Sequence, residues 1–358
     1  MARFAPARHA RDGDNRAALL VSSMLIRIVG RLAASLVLLL SALWACLALW
    51  YQLPVGEAGK VAAAVLWSGF GLAALVLLWR GRAARALLSY AAGFALLLGW
   101  WNTIVPLQQR DWADDVARQL VARVDGNVVT LENVRNFDWR SDTDYTPRWE
   151  TRRYDLERLR SVDVSVSYWM GPAIAHTLVS FGFDDGRFLT FSIEIRKERG
   201  ESFSSIGGFF RRFELSLVAA EERDVLRVRT NVRGEDVHMY RVRLPQAEMR
   251  SLFLAYLDQS AALLRAPSFY NTLTANCTTI VYDLARRIVP GLPMDWRLLA
   301  SGYLPDYLYD VGGLTPGYSL EALRTAGRIT QRAIASDAVP GVDFSRAIRQ
   351  GLPGAEAP

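Results

Sequence analysis

Three nearly uncharged apolar stretches constrain the fold of this chain more than any other feature. They cover residues 32–51, 61–79 and 83–101. An α-helix needs about 20 predominantly apolar residues to cross the hydrocarbon core of a bilayer, so each stretch is long enough. We therefore expect three transmembrane helices within residues 24–101, preceded by a basic tail at residues 1–23. A cleaved signal peptide is the alternative for the first stretch, but its apolar core would be shorter, and two more stretches follow.

Basic residues orient these helices. Arg27 and Arg31 precede the first stretch, and Arg80, Arg82 and Arg85 lie between the second and the third. Because loops rich in Arg and Lys stay in the cytoplasm, the N-terminus and the second loop are expected there. The pattern predicts a multi-pass protein of the inner (cytoplasmic) membrane with its soluble domain in the periplasm. The net charge of +6 is thus explained by membrane topology, and no nucleic-acid partner is expected.

The rest of the chain has the composition of a soluble domain. Short alternating segments indicate strands, and segments with apolar residues three to four positions apart indicate helices. Among these we expect an amphipathic helix at residues 111–124 and a strand at residues 225–232. The mixture predicts an α+β domain over residues 108–324, followed by a polar tail at residues 325–358.

A candidate nucleophile lies where a polar segment leads into an apolar helical run. Asn276 is a favourable N-cap, so Cys277 falls in the first helical turn. Unpaired N–H groups and the helix dipole favour a thiolate there and lower a cysteine pKa. The alternative is that Cys277 is a small buried hydrophobic residue. Cys46, the only other cysteine, lies in an apolar stretch, and with three histidines in the chain neither a disulfide nor a metal site is expected.

A predicted β-hairpin presents a candidate base and a candidate acid. Matching the apolar faces of its two strands places Val179 opposite Phe191, and a one-residue slip would set apolar against polar residues throughout. His176 then lies opposite Glu194, close enough for the carboxylate to fix the tautomer of the imidazole and stabilise its cation. The alternative is a solvated histidine on a polar sheet face. Together with Cys277, the pattern predicts a nucleophile, a base and an orienting acid.

Several motifs of the chain resemble the Lnb N-terminal periplasmic domain family. They are the strand that begins at His176, the segments 192–196 and 276–279, and the upstream segments 133–137, 149–152 and 154–156. The resemblance covers roughly residues 108–313. The order of histidine before cysteine is also similar to that of permuted papain-like folds. The resemblance therefore implies a permuted papain-like, antiparallel-sheet domain on the three-helix anchor.

The family resemblance implies a lipoprotein transacylase, which moves an acyl chain from a diacylglyceryl group onto the N-terminal amine of a lipoprotein's cysteine. Cys277 would be the nucleophile and His176 the base, with a membrane lipid or lipoprotein as the partner and no cofactor. Characterised acyltransferases of the family place this domain before their membrane helices, whereas here the helices come first. The expected function is therefore a membrane-anchored thiol acyltransferase or hydrolase. A papain-like peptidase or cell-wall amidase and a non-enzymatic membrane-anchored module are the alternatives.

Two further expectations concern how the site would work. The backbone N–H groups at the start of the Cys277 helix are expected to stabilise an oxyanion. Residues 204–213 combine two glycines, three phenylalanines and two arginines, which suits a mobile lid at a membrane interface. The alternative for this stretch is that its three rings are core residues.

Overall fold

The computed structural model describes residues 9–339 and 341–355, so the first eight residues of the predicted basic tail lie outside the described part. The chain divides into two compact units, whose boundary falls between Val105 and Pro106.

The first unit consists of three long helices. They are α1 (His9–Gln52), α2 (Glu57–Trp79) and α3 (Ala83–Thr103). By length and composition, Met24–Gln52 of α1 and the whole of α2 and α3 are able to cross a membrane. Large apolar side chains such as Leu66 and Leu96 are exposed on the unit's surface, as a lipid-facing surface requires. The three predicted spans are confirmed as helices, and α1 also includes part of the predicted basic tail.

The second unit is built on a mixed eight-stranded sheet. Its strands run in the order β1, β2, β9, β8, β7, β6, β10, and β5 also pairs with β2. The pairings are antiparallel except for that of β2 with β9, which is parallel. The strands are β1 (Val121–Asp125), β2 (Val128–Arg135), β5 (Trp149–Asp155), β6 (Leu159–Met170), β7 (Ile174–Phe183), β8 (Phe188–Arg196), β9 (Glu214–Ala220) and β10 (Asp236–Val242), while β3 (Asp138–Trp139) and β4 (Tyr145–Thr146) form a separate pair. The α+β class is confirmed. The prediction of a wholly antiparallel sheet is wrong, because β9 pairs with β2 in parallel.

Helices cover both faces of this sheet. On one face, Phe253 and Tyr256 of α6 pack against Phe181 of β7 and Phe191 of β8, with a stacked pair at 4.7 Å between the rings of Phe191 and Tyr256. The helices of the unit are α4 (Ser205–Phe209), α5 (Glu222–Val225), α6 (Gln246–Arg265), α7 (Cys277–Arg286), α8 (Leu304–Asp310), α9 (Leu320–Gly327), α10 (Thr330–Asp337) and α11 (Phe344–Ile348). Apolar side chains of α5, α10 and α11 cover the other face in a second core cluster.

Two local predictions are wrong. Residues 111–124 form a single 3-10 turn, Asp114–Val116, and the start of β1 instead of an amphipathic helix. The backbone beside that turn is tied to the end of β8, since Ala113 N–H donates to the Lys197 carbonyl over 3.0 Å. Residues 225–232 end α5 and form a turn of π-helix instead of a strand.

The predicted polar tail is folded into the domain. Ile329 and Ile348 are completely buried. Arg349 donates two hydrogen bonds of 2.7 Å to the Glu222 carboxylate and one of 2.9 Å to Asp163. Residues 325–339 and 341–355 thus belong to the second unit, because a few apolar side chains among many polar ones suffice to fix α10, α11 and the end of α9. Residues 340 and 356–358 of the predicted tail lie outside the described part.

Candidate active site

The start of α7 is fixed by a capping box. Asn276 Oδ1 accepts hydrogen bonds from the N–H groups of Thr278 and Thr279, each over 2.9 Å, and the Thr279 hydroxyl accepts from Asn276 N–H over 2.9 Å. Asn276 is therefore the N-cap, as predicted, and Cys277 is the first helical residue. The N–H groups of Thr278 and Thr279 are thus already engaged, so of the predicted oxyanion donors at the start of α7 the Cys277 N–H remains, and its role stays a prediction.

The hairpin of β7 and β8 has the predicted register. Val179 pairs with Phe191, and Gly186 in the loop has a positive φ of 82°. Ladder pairing ends at Leu178 and Ser192, two residue pairs before His176 and Glu194. Side chains therefore connect the two strand ends where the backbone ladder stops.

A hydroxyl group links the histidine to the carboxylate. His176 Nε2 lies 2.7 Å from Ser192 Oγ, and Ser192 Oγ donates to Glu194 Oε1 over 2.6 Å. His176 Nε2 is also 3.2 Å from the same Glu194 oxygen. Ser192 was not predicted to act, although the alternation of β8 places it on the same face as Glu194.

His176 and Cys277 line one cavity of about 450 Å³. Both side chains are almost fully buried. The elements that carry them are joined by a 3.0 Å hydrogen bond between the hydroxyl groups of Thr177 and Thr278. The structure thus brings all three predicted site residues to one cavity, since Glu194 lines it as well.

The pKa shifts of the three groups favour a thiolate–imidazolium pair. Burial by itself lowers the pKa of His176, but the Glu194 carboxylate, aided by Cys277, raises it to about 9. Burial raises the pKa of the Cys277 thiol, but the charge and hydrogen bond of His176 and the Thr177 N–H lower it below the ordinary value. Burial also raises the pKa of Glu194, yet His176 and Arg229 together hold it well below its usual range.

Arg229 is a site residue that the sequence did not reveal. Its Nη2 donates to Glu194 Oε1 over 3.2 Å, and its Nη1 donates to Glu235 Oε2 over 3.2 Å. The Arg229 charge opposes protonation of His176. It reaches the cavity from the π-helical turn Val228–Val232, which lies in the segment predicted to be a strand. Val225, Val228 and Val232 are three and four positions apart, which is a helical spacing. No motif in the sequence marked Arg229 as a site residue.

Exposed apolar side chains lie at the cavity's outer part. Trp169 and Phe203 meet edge to face with ring centroids 6.2 Å apart, and both are more than two-fifths exposed. We call the cavity-lining exposed apolar residues the apolar rim, which comprises Trp169, Ile174, Phe203, Phe209, Leu273 and Leu299. The rim surrounds the thiol's cavity with surface suited to an apolar ligand.

The predicted lid is only partly found. Of its three phenylalanines, Phe209 belongs to the apolar rim, whereas Phe210 and Phe213 are buried. Gly207 and Gly208 lie in α4 and are buried as well. A Cβ at Gly208 would clash with Thr272 Oγ1, so close packing, not backbone freedom, requires glycine there. Within the described residues, no group of three or more His, Cys, Asp or Glu side chains could hold a metal ion.

Comparison with known families identifies the domain. Residues 145–302 match the family model of the Lnb N-terminal periplasmic domain, and this range contains His176, Glu194 and Cys277. Comparison with curated proteins and with solved structures gave no match. The resemblance seen in the sequence is therefore confirmed over residues 145–302, while the papain-like fold stays a prediction. Three candidate spans and this domain together describe a membrane-anchored periplasmic module.

Proposed function

We propose that this Lnb-type domain is a thiol-dependent acyltransferase or hydrolase that acts on membrane lipids or lipoproteins. The observation that carries the proposal is the buried His176, held by Ser192 and Glu194 in the cavity that also contains the Cys277 thiol. A nucleophile, a base and an orienting acid are the parts that covalent acyl transfer requires. Their pKa shifts favour the ion pair from which a thiolate attacks.

In the proposed reaction, the Cys277 thiolate attacks an ester or amide carbonyl and forms a carbon–sulfur bond and an oxyanion. The oxyanion collapses, the bond to the leaving alcohol or amine breaks, and the His176 cation gives its proton to the leaving group. An amine or water then attacks the thioester, neutral His176 takes its proton, and the thiolate leaves. Since Nε2 is engaged by β8, Nδ1 is the ring nitrogen that serves these transfers.

The apolar rim supports a lipid substrate. Six exposed apolar residues around a site that also contains polar catalytic groups fit an acyl chain better than a polar peptide. The candidate spans indicate that the domain is part of a membrane protein. From the arginine pattern, we assign the spans to the inner membrane, with the domain on the periplasmic side.

Intact-protein mass spectrometry tests the proposal. Detergent-purified full-length protein is incubated with a short p-nitrophenyl ester and, separately, with a lipidated peptide. We expect one acyl group on Cys277, lost in Cys277→Ala and strongly reduced in His176→Ala. Cys46→Ala is the matched control and should be acylated like wild type. A peptide fragment on the sulfur would favour the peptidase or amidase alternative, and an unmodified thiol in every reaction would favour a non-enzymatic module.

A further inference from the structure

The start of α7 has fewer free oxyanion donors than the sequence predicted. An acyl-transfer site aims hydrogen-bond donors at the oxygen that becomes negative in the transition state. At the start of α7, the N–H groups of Thr278 and Thr279 both donate to Asn276 Oδ1. The Asn276 amide is itself partly used, because Nδ2 donates to the Thr272 carbonyl over 2.8 Å. The Cys277 N–H remains at the start of α7, so a second donor would come from elsewhere in the cavity.

Tyr270 carries such a donor. Its side chain is 8% exposed and lines the same cavity as Cys277 and His176. Among the described residues, its hydroxyl group makes no hydrogen bond, and it is not one of the fully enclosed unpaired hydroxyl groups such as that of Tyr256. A hydroxyl group with no protein partner, on a residue that lines the nucleophile's cavity, has its hydrogen bond available for a ligand.

The Tyr270 ring is held firmly in place. Its backbone N–H donates to the Phe213 carbonyl over 3.0 Å. On one side, Gly208 approaches so closely that a Cβ there would lie 3.2 and 3.3 Å from two ring carbons. A fixed ring costs little reorganisation when charge develops, which is the condition for effective oxyanion stabilisation.

Tyr270 also stays protonated when the thiolate is present. Burial raises the pKa of Tyr270, and the negative charges of Cys277 and Glu194 raise it further. The phenol is therefore a neutral donor throughout the working range of a thiol enzyme.

We propose that Tyr270 is a catalytic residue whose hydroxyl donates a hydrogen bond to the oxyanion formed when Cys277 attacks a carbonyl. The proton stays on the phenol, and the bond strengthens as negative charge collects on the oxygen. This inference rests on the proposed function, and it adds a residue that neither the sequence motifs nor the family match assigns.

The test compares two tyrosine-to-phenylalanine variants in the full-length protein. Tyr256 is the matched control, because its hydroxyl group is buried and lacks a partner among the described residues. Burial, and to a lesser degree the Cys277 charge, raise the pKa of Tyr256 as they do that of Tyr270, yet Tyr256 does not line the cavity. With a p-nitrophenyl ester, Tyr270→Phe should acylate Cys277 about 10²- to 10³-fold more slowly than wild type, mainly in kcat. Tyr256→Phe should stay within about threefold. Alkylation of Cys277 by iodoacetamide, which needs no oxyanion donor, should be unchanged in both variants.

Each outcome decides one question. Normal acylation by Tyr270→Phe overturns the role of Tyr270 and leaves the proposed function intact. Equal losses in acylation and alkylation would show that Tyr270 only supports the thiol's environment, which also overturns the inference. If wild-type protein reacts with iodoacetamide but is never acylated, the proposed function fails, and the role of Tyr270 fails with it.

Discussion

Glu194 Oε1 is the most heavily used acceptor in the site. It accepts from Ser192 over 2.6 Å, and Arg229 Nη2 and His176 Nε2 each lie 3.2 Å away. One carboxylate oxygen thus lies between the Arg229 guanidinium and the His176 imidazole, whose pKa is raised to about 9. The carboxylate raises the pKa of His176, and Arg229 lowers it. These two neighbours therefore set the pKa of His176 and, with it, the stability of the thiolate–imidazolium pair.

Substitution of Glu194 should move the alkaline limb of the pH–activity profile. In wild type we expect activity to fall as pH rises through about 9, where His176 loses the proton that it gives to the leaving group. Glu194→Gln removes the attractive charge, so the folded-state pKa of His176 falls, and the limb should shift to lower pH by about 1 unit or more. The rate of p-nitrophenyl ester cleavage from pH 5 to 10 measures this shift.

Arg229→Gln provides the opposing control. The Arg229 charge disfavours the imidazolium, so the substitution should leave the alkaline limb in place or move it to higher pH. Circular dichroism checks that the variant is folded. Shifts of the same sign in both variants would show that the limb does not report His176.

At the scale of elements, local patterns determined part of the site. The capping residue Asn276 and the register of Val179 with Phe191 follow from a few neighbouring residues, and both were predictable. The π-helical turn that carries Arg229 was not, because its shape depends on contacts distant in sequence. Just before it, Asp224 accepts from the Arg135 guanidinium, the Phe137 N–H and the Trp139 indole. This long-range pairing and the helical spacing of Val225, Val228 and Val232 both oppose the predicted strand.

The C-terminal helix α11 is anchored by one buried arginine. Arg349→Met would remove both hydrogen bonds to Glu222 and leave that buried carboxylate without its counter-charge. We expect a destabilisation of about 3–5 kcal/mol, seen as a lower unfolding midpoint of the detergent-purified protein. Arg346→Met on the same helix is the control, because Arg346 is exposed, and it should cost under about 0.5 kcal/mol. Equal midpoints for the two variants would contradict the anchoring role.

At the scale of the whole molecule, three candidate spans and a cavity with an apolar rim occur in one chain. The hydropathy pattern predicted the spans, because a continuous run of about twenty apolar residues is typical of a membrane-spanning helix. The rim could not be predicted, because Trp169, Phe203 and Phe209 come from separate segments that only the folded domain brings together. Under the proposed function, we expect the acyl chain of the substrate to lie against the rim.

The rim's role is tested by comparing a membrane substrate with a soluble one. Phe209→Ser and Trp169→Ser should each slow turnover of a lipidated peptide in proteoliposomes by about tenfold, because each ring loses apolar contact worth roughly 1.5–3 kcal/mol. A short soluble ester should be cleaved at a near-normal rate, because His176 and Cys277 are untouched. Tyr318→Ser is the control, since Tyr318 is as exposed as Phe209 but does not line the Cys277 cavity. Equal losses on both substrates, or a similar loss in Tyr318→Ser, would show that the rim does not receive the acyl chain.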